Sequence, residues 1–243
     1  MDGFLGASSG PSSDEPGPFL KIAEPAAPVR PVVEGLVERR LDDLETLWVS
    51  KSLPGFSPAC VDRLRELVRD AAAGRLGRLK FLAFDFVHRG EAVAASSPGL
   101  EALVGEAANL ILQAPVVLVA NARARMAGAD LEFALACSML IGEADAVFSF
   151  AADPVVSMGI YGFLSQKIGF ARAEQLMERG EILAAQQMHD LLLLKDVAEP
   201  GAGLEGVRKF LARTSRRHNS CYGIYRAHRM ASPAVRGGAR AYR

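Results

Sequence analysis

The chain has 243 residues, of which 50% are hydrophobic and 23% charged, with 28 basic residues balancing 28 acidic ones. That length fits a single domain with a full core, and the even charge excludes a surface built throughout to seek polyanions. Cys60, Cys137 and Cys221 are odd in number and far apart, which argues against a disulfide framework or a metal site and for reduced thiols. No apolar run approaches membrane-spanning length and the first residues lack a signal-peptide pattern, so a cytoplasmic protein without membrane contact is expected.

Residues 1–30 are rich in Gly, Ser, Pro and Ala, a composition that buries too little apolar surface to offset ordering, and a flexible tail is predicted. Patterned sequence begins at residue 31, giving a core over 31–205 and a basic C-terminal region over 206–243. Residues 37–48 mix charges with Leu and Val. Ser57 then Pro58 marks a helix start, with Ser57 as cap and Pro58 at the first helical position. That helix carries Val61, Leu64, Leu67 and Val68 on one face and ends near Gly74. Residues 79–87 are aromatic-rich between Gly77 and Gly90, a strand signal. In the loop beyond it His88 is the one candidate for acid/base chemistry near neutrality, and a surface or hydrogen-bonding role is the plainer reading than a catalytic one. Residues 100–112 have the pattern of an amphipathic helix.

The most informative stretch is 114–150. An unbroken apolar run, 116–120, suits a strand buried on both faces. After a polar hinge at Asn121, Arg123 and Arg125, the chain becomes helix-periodic at Gly128, with Leu131, Ala134, Leu135 and Ser138 on one face. A second apolar run follows at 146–150. This predicts a βαβ unit whose two strands lie parallel in one sheet, with a helix starting within about two residues of Gly128. Glu132 falls in the predicted first helical turn, where the helix dipole favours a carboxylate; on spacing alone a solvated Glu is the plainer alternative.

The run Ala127-Gly128-Ala129-Asp130-Leu131-Glu132-Phe133-Ala134-Leu135-Ala136-Cys137 resembles the signature of the crotonase (enoyl-CoA hydratase/isomerase) superfamily, a small-residue turn followed by a helix reading E-L-A-L-A-C-D. The resemblance covers about residues 36–206. It implies an α/β crotonase-like spiral of ββα units with a helical C-terminal region, acting on coenzyme A or acyl-carrier-protein thioesters with no other cofactor. It places Ala129, beside Gly128, where the family's oxyanion-binding N–H lies, and Glu132 at the first catalytic glutamate. Such an N–H stabilises an enolate or tetrahedral oxyanion, and a nearby carboxylate moves a proton. Two of the family's three glycines are replaced, and Asp130 sets a charged group where the family has none. The second catalytic glutamate falls at Ala152, or at Asp153 with a one-residue slip. The family's Gly- and Asp-containing motif after the preceding strand is missing from residues 88–93. In the family's A-x-x-A-x-x-x-G-L-V pattern, Met188 stands at the second Ala and Leu192 at the Gly.

Short motifs also resemble diffusible-signal-factor synthases, a bacterial branch acting on medium-chain acyl thioesters: Leu47-Trp48, Phe56-Ser57-Pro58, residues 158–165, and Met188-His189-Asp190. Residues 206–243 hold ten Arg or Lys and no acid. The resemblance implies a C-terminal region over the acyl pocket, with Arg213, Arg216, Arg217, Arg226 and Arg229 as candidates for binding coenzyme A or phosphopantetheine phosphates. Pairing with acidic patches of the same or another subunit is the plainer reading, and nucleic acid is disfavoured because no recognised binding motif accompanies the charge. The family further implies a homo-oligomer, a trimer or dimer of trimers. Two functions follow: a diverged relative with lost or reduced catalysis serving as a binding or regulatory protein with a protein partner, and an active acyl-thioester hydratase/dehydratase, isomerase or thioesterase. The eroded motifs tilt the reading to the first.

Overall fold

The computed structural model describes residues 33–88, 114, 116–150, 157–215 and 223–224. Predictions for the 1–30 tail and for a helix over 100–112 fall outside these residues. Strand β1 (Leu36–Leu41) turns through a short 3-10 segment into β2 (Thr46–Lys51), its antiparallel partner. Thereafter β2, β3 (Phe81–Phe86), β4 (Val117–Ala122), β6 (Met139–Glu143) and β9 (Val197–Ala198) run parallel, giving a six-stranded sheet ordered β1-β2-β3-β4-β6-β9. A smaller sheet holds β5 (Arg125–Ala127), β7 (Val147–Ser149) and β8 (Ile182–Ala184), with β5 and β7 parallel and β8 antiparallel to β7.

Six helices are described in chain order: α1 (Pro58–Ala72), α2 (Gly128–Ala136), α3 (Ser157–Ile168), α4 (Phe170–Arg179), α5 (Ala185–Asp190) and α6 (Gly203–Ser215). Helix α1 begins as its sequence dictates: the Ser57 hydroxyl accepts the Cys60 N–H at 3.2 Å, satisfying an orphan donor. Helix α4 stops at Gly180 in the left-handed region, φ 57°. Leu192 also sits there, φ 60°, with its side chain largely exposed.

The parallel strands are buried on both faces, as continuous apolar runs require. On one face Leu82, Phe84, Phe86, Leu118 and Ala120 join residues of α1, α2, α3 and α4 in the larger core. On the other, Phe81, Ala83, Val117, Val119, Met139 and Ile141 pack on Val207, Phe210 and Leu211 of α6. Phe133 of α2 is wedged among Phe56, Phe84 and Phe86, with ring centroids 5.4, 5.0 and 6.1 Å away. This cluster seats α2 over the carboxyl ends of β2 and β3.

Three expectations are corrected. The apolar runs near 116–120 and 146–150 do not share a sheet, because β4 belongs to the larger one and β7 to the smaller. The strand that follows α2 and pairs with β4 is β6. The helical periodicity stops at Ala136, where Cys137 turns extended, so Ser138 is not on the helix. Glu132 is the fifth helical residue and opens the second turn; the first-turn acid is Asp130.

Candidate functional site

In open sheets, ligands meet the carboxyl ends of parallel strands, and α2 starts there. Gly128 takes φ 53°, and a Cβ built on it would meet no neighbour within 4 Å. Its glycine is therefore required by backbone conformation rather than by space. Ala127 before it is extended and supplies no side-chain cap. Ala129 is half-buried against the larger core.

Asp130 points into the interior. It is 1% exposed, with Lys51 Nζ 3.0 Å from one carboxylate oxygen. The other oxygen lies 2.7 Å from His88 Nε2 and accepts the Gly55 N–H at 3.0 Å. Lys51, the last residue of β2, also donates to the Leu53 carbonyl and sits over the rings of Phe56 and Phe86, 4.7 and 5.8 Å from their centroids. Burial alone would raise the Asp130 carboxyl, but the His88 hydrogen bond and the Lys51 charge outweigh it and hold the carboxyl below its usual range. With a charged acceptor, Nε2 of His88 is the donor. Cys60 lies within the field of this pair, and burial pushes its thiol up to about 11, so it is no nucleophile at neutral pH.

The depressed Asp130 value has a definite sign. Its contribution to stability is complete above the unfolded carboxyl's value, about pH 4, and is lost as the pH falls through the lower folded value. Asp130→Asn is therefore expected to be less stable than the parent at pH 7, with the gap narrowing on acidification below about pH 4. Urea midpoints at pH 7 and pH 3 check this; a gap that widens in acid contradicts it.

Glu132 is partly exposed and leans on the first turn of α3. A Cβ at Gly159 would fall 2.1 Å from its Oε1 and 2.3 Å from its Cδ. The carboxylate thus rests on bare backbone that only glycine provides.

A second polar cluster lies on the α6 side of the large sheet. Buried Asp85 accepts the Asn121 amide at 2.8 Å and the Arg123 Nε–H at 2.9 Å. Burial raises its carboxyl, with Arg123 opposing. Arg123 Nε lies 3.8 Å from Glu143, whose carboxylate accepts N–H bonds from Gly201 at 2.8 Å and Gly203 at 2.7 Å at the start of α6. This arrangement fastens a helix, with its acceptor at the positive helix end.

Of the residues singled out in the sequence, the structure brings Gly128, Ala129 and Glu132 to one helix start, and His88 onto Asp130 beside it. Arg213 lies in α6, paired with Asp196 at 2.7 Å. Ala152, Asp153, Arg216, Arg217, Arg226 and Arg229 lie outside the described residues. Lys51 and the inward Asp130 went unread. Their signal was a lysine closing an apolar strand and an acid in the first turn of an apolar helix. No group of side chains suited to a metal ion occurs among the described residues, and no described helix is long and apolar enough to cross a membrane.

No protein-family model matches the chain, and no curated protein matches it either. Solved structures do match in shape. An enoyl-CoA hydratase from Mycobacterium avium subsp. paratuberculosis K-10 is 19% identical with a TM-score of 0.69, the match covering 85% of this chain and 91% of that one. An enoyl-CoA hydratase/isomerase from Marinobacter aquaeolei is 16% identical with a TM-score of 0.67, over 84% and 87% of the two chains. A monofunctional enoyl CoA isomerase from M. smegmatis is 16% identical with a TM-score of 0.67, over 82% and 100%.

Proposed function

We propose that this crotonase-fold chain binds acyl thioesters at the start of α2, with the thioester oxygen at the Ala129 backbone and Glu132 as the acid/base carboxylate. The observation that carries this reading is the placement of Asp130. Its charge is drawn into the interior by Lys51, His88 and Gly55, which leaves the helix start beside Glu132 free of a competing carboxylate. A single positioned carboxylate suits proton transfer next to a thioester carbonyl, the step of an isomerisation. The hydratase and isomerase structures of the same shape support the substrate class, and the diffusible-signal-factor synthase motifs extend the proposal to medium-chain acyl groups on an acyl carrier protein. Self-association belongs to the same reading.

The second reading is thioester binding without turnover, in a binding or regulatory protein. It is favoured by the contact of Glu132 with Gly159, because a carboxylate seated on a helix's first turn also has a structural use.

Calorimetry with butyryl-CoA, alongside turnover assays with a 3-enoyl-CoA, crotonyl-CoA and a medium-chain 3-hydroxyacyl thioester, tests both. Saturable binding of butyryl-CoA, stronger than that of free coenzyme A, is the expected result. Absence of saturable binding overturns the proposal. Binding without turnover above background selects the second reading.

A further inference from the structure

Three ionisable side chains, Lys51, His88 and Asp130, are each at most 5% exposed and meet at one carboxylate. They come from three places: the end of β2, the residues just after β3, and the first turn of α2. Burying an ion pair is costly and is weak evidence of stabilisation by itself. His88 is the more telling member. Its Nδ1 is buried and makes no hydrogen bond among the described residues, so its described polar tie is the one to Asp130. The imidazole therefore acts as a strut between the end of β3 and the helix start.

We infer that Asp130 and His88 are positioning residues, which fix the first turn of α2 and so aim the Ala129 backbone at the oxygen of a bound thioester. This rests on the acyl-thioester reading and deepens it. Gly128 takes a left-handed conformation at the entry to the helix, and a glycine by itself gives the backbone there wide conformational freedom. One residue beyond Ala129, the Asp130 carboxylate is held by His88, Lys51 and the Gly55 N–H, which removes that freedom on the inner side of the turn. An oxyanion donor works only if it is aimed in advance at the developing charge. The His88–Asp130 bond supplies that aim from outside the helix, where two of the expected glycines are replaced.

The test compares two ligands on the full chain: butyryl-CoA, which carries a neutral carbonyl, and acetoacetyl-CoA, a β-keto thioester that can ionise to an enolate whose absorbance reports that form when bound. His88→Leu leaves Asp130 with Lys51 and Gly55, so thermal stability and near-ultraviolet circular dichroism serve as fold controls. The expected result is a loss of about tenfold in acetoacetyl-CoA affinity relative to butyryl-CoA, less than the cost of removing an oxyanion donor outright. His88→Gln, whose amide can donate to Asp130, is expected to recover most of that ratio. Should His88→Leu fail to fold, His88→Asn, too short to reach Asp130, carries the same test. An unchanged ratio, or an equal loss for both ligands, overturns the positioning role while leaving the thioester reading intact. Absence of binding by the parent overturns that reading and this inference with it.

Discussion

Glu132→Gln is expected to lower 3-enoyl-CoA isomerisation by about two orders of magnitude or more, the scale of a lost general acid/base, while the fold survives. Glutamine is nearly isosteric, and Glu132 is partly exposed, so the substitution removes the titratable group while keeping the side chain's shape. Butyryl-CoA affinity should change far less, because in the proposed complex the thioester oxygen is held by backbone. The measurement pairs parent and variant in one assay, with folding followed by circular dichroism. Robust parental turnover untouched by the substitution defeats the assignment of Glu132. A parent that binds thioesters without turning them over moves the protein to the binding reading, and butyryl-CoA affinity in the variant then reports whether Glu132 contributes at all.

Gly159→Ala is the complementary experiment, since it alters the carboxylate's seat without touching the carboxylate. The new methyl would sit 2.1 Å from Glu132 Oε1, a distance no pair of atoms sustains. What yields is the end of a flexible side chain, and Gly159 is absent from the positive-φ glycines, so α3 accepts alanine. Alanine is the better helix former by up to about 1 kcal/mol. The expected outcome is a melting temperature equal to or above the parent's, with turnover down by about a hundredfold, as for a reacting group displaced by an ångström. Full activity in Gly159→Ala shows that the observed seat of Glu132 is not used. A large drop in melting temperature shows that the carboxylate cannot give way.

Much of the fold could be read from local signals. Ser57 and Pro58 mark the start of α1 because capping is decided by adjacent residues. The apolar runs of β3 and β4 declare themselves because a strand covered on both faces has no polar alternation. Gly128 marks the start of α2 because the chain takes a positive φ there. Strand β6 was hidden by its position. Met139 to Ile141 follows an apolar helix with neither Gly nor Pro between, and a short apolar run does not reveal its period. The separation of β4 from β7 depends on partners rather than on the strands themselves. The direction of Asp130 was illegible for the same reason, since its donor Gly55 lies 75 residues earlier in the chain and His88 lies 42 residues earlier. An acid at a family glycine reads as an obstruction until its counter-charge is located. Asp85, set between Phe84 and Phe86, is comparable: burial on both sides requires partners, and Asn121 and Arg123 supply them from the next strand and its exit.

The fastening of α6 to Glu143 has a consequence for how the chain is made. One face of the large sheet gains its cover early, from α1 onward. The other presents Phe81, Val117, Val119 and Ile141, which pack on Val207, Phe210 and Leu211. Until a ribosome has produced residue 211, that face lacks the helix that covers it. Glu143 meanwhile waits some 60 residues for the Gly203 N–H that it accepts. Completion of this half of the core is thus a late event in synthesis, and the nascent chain carries an open apolar sheet face from Ile141 until Leu211 is made. Any shortened version that stops before Gly203 would keep that condition permanently and should be recovered in aggregates or held by chaperones.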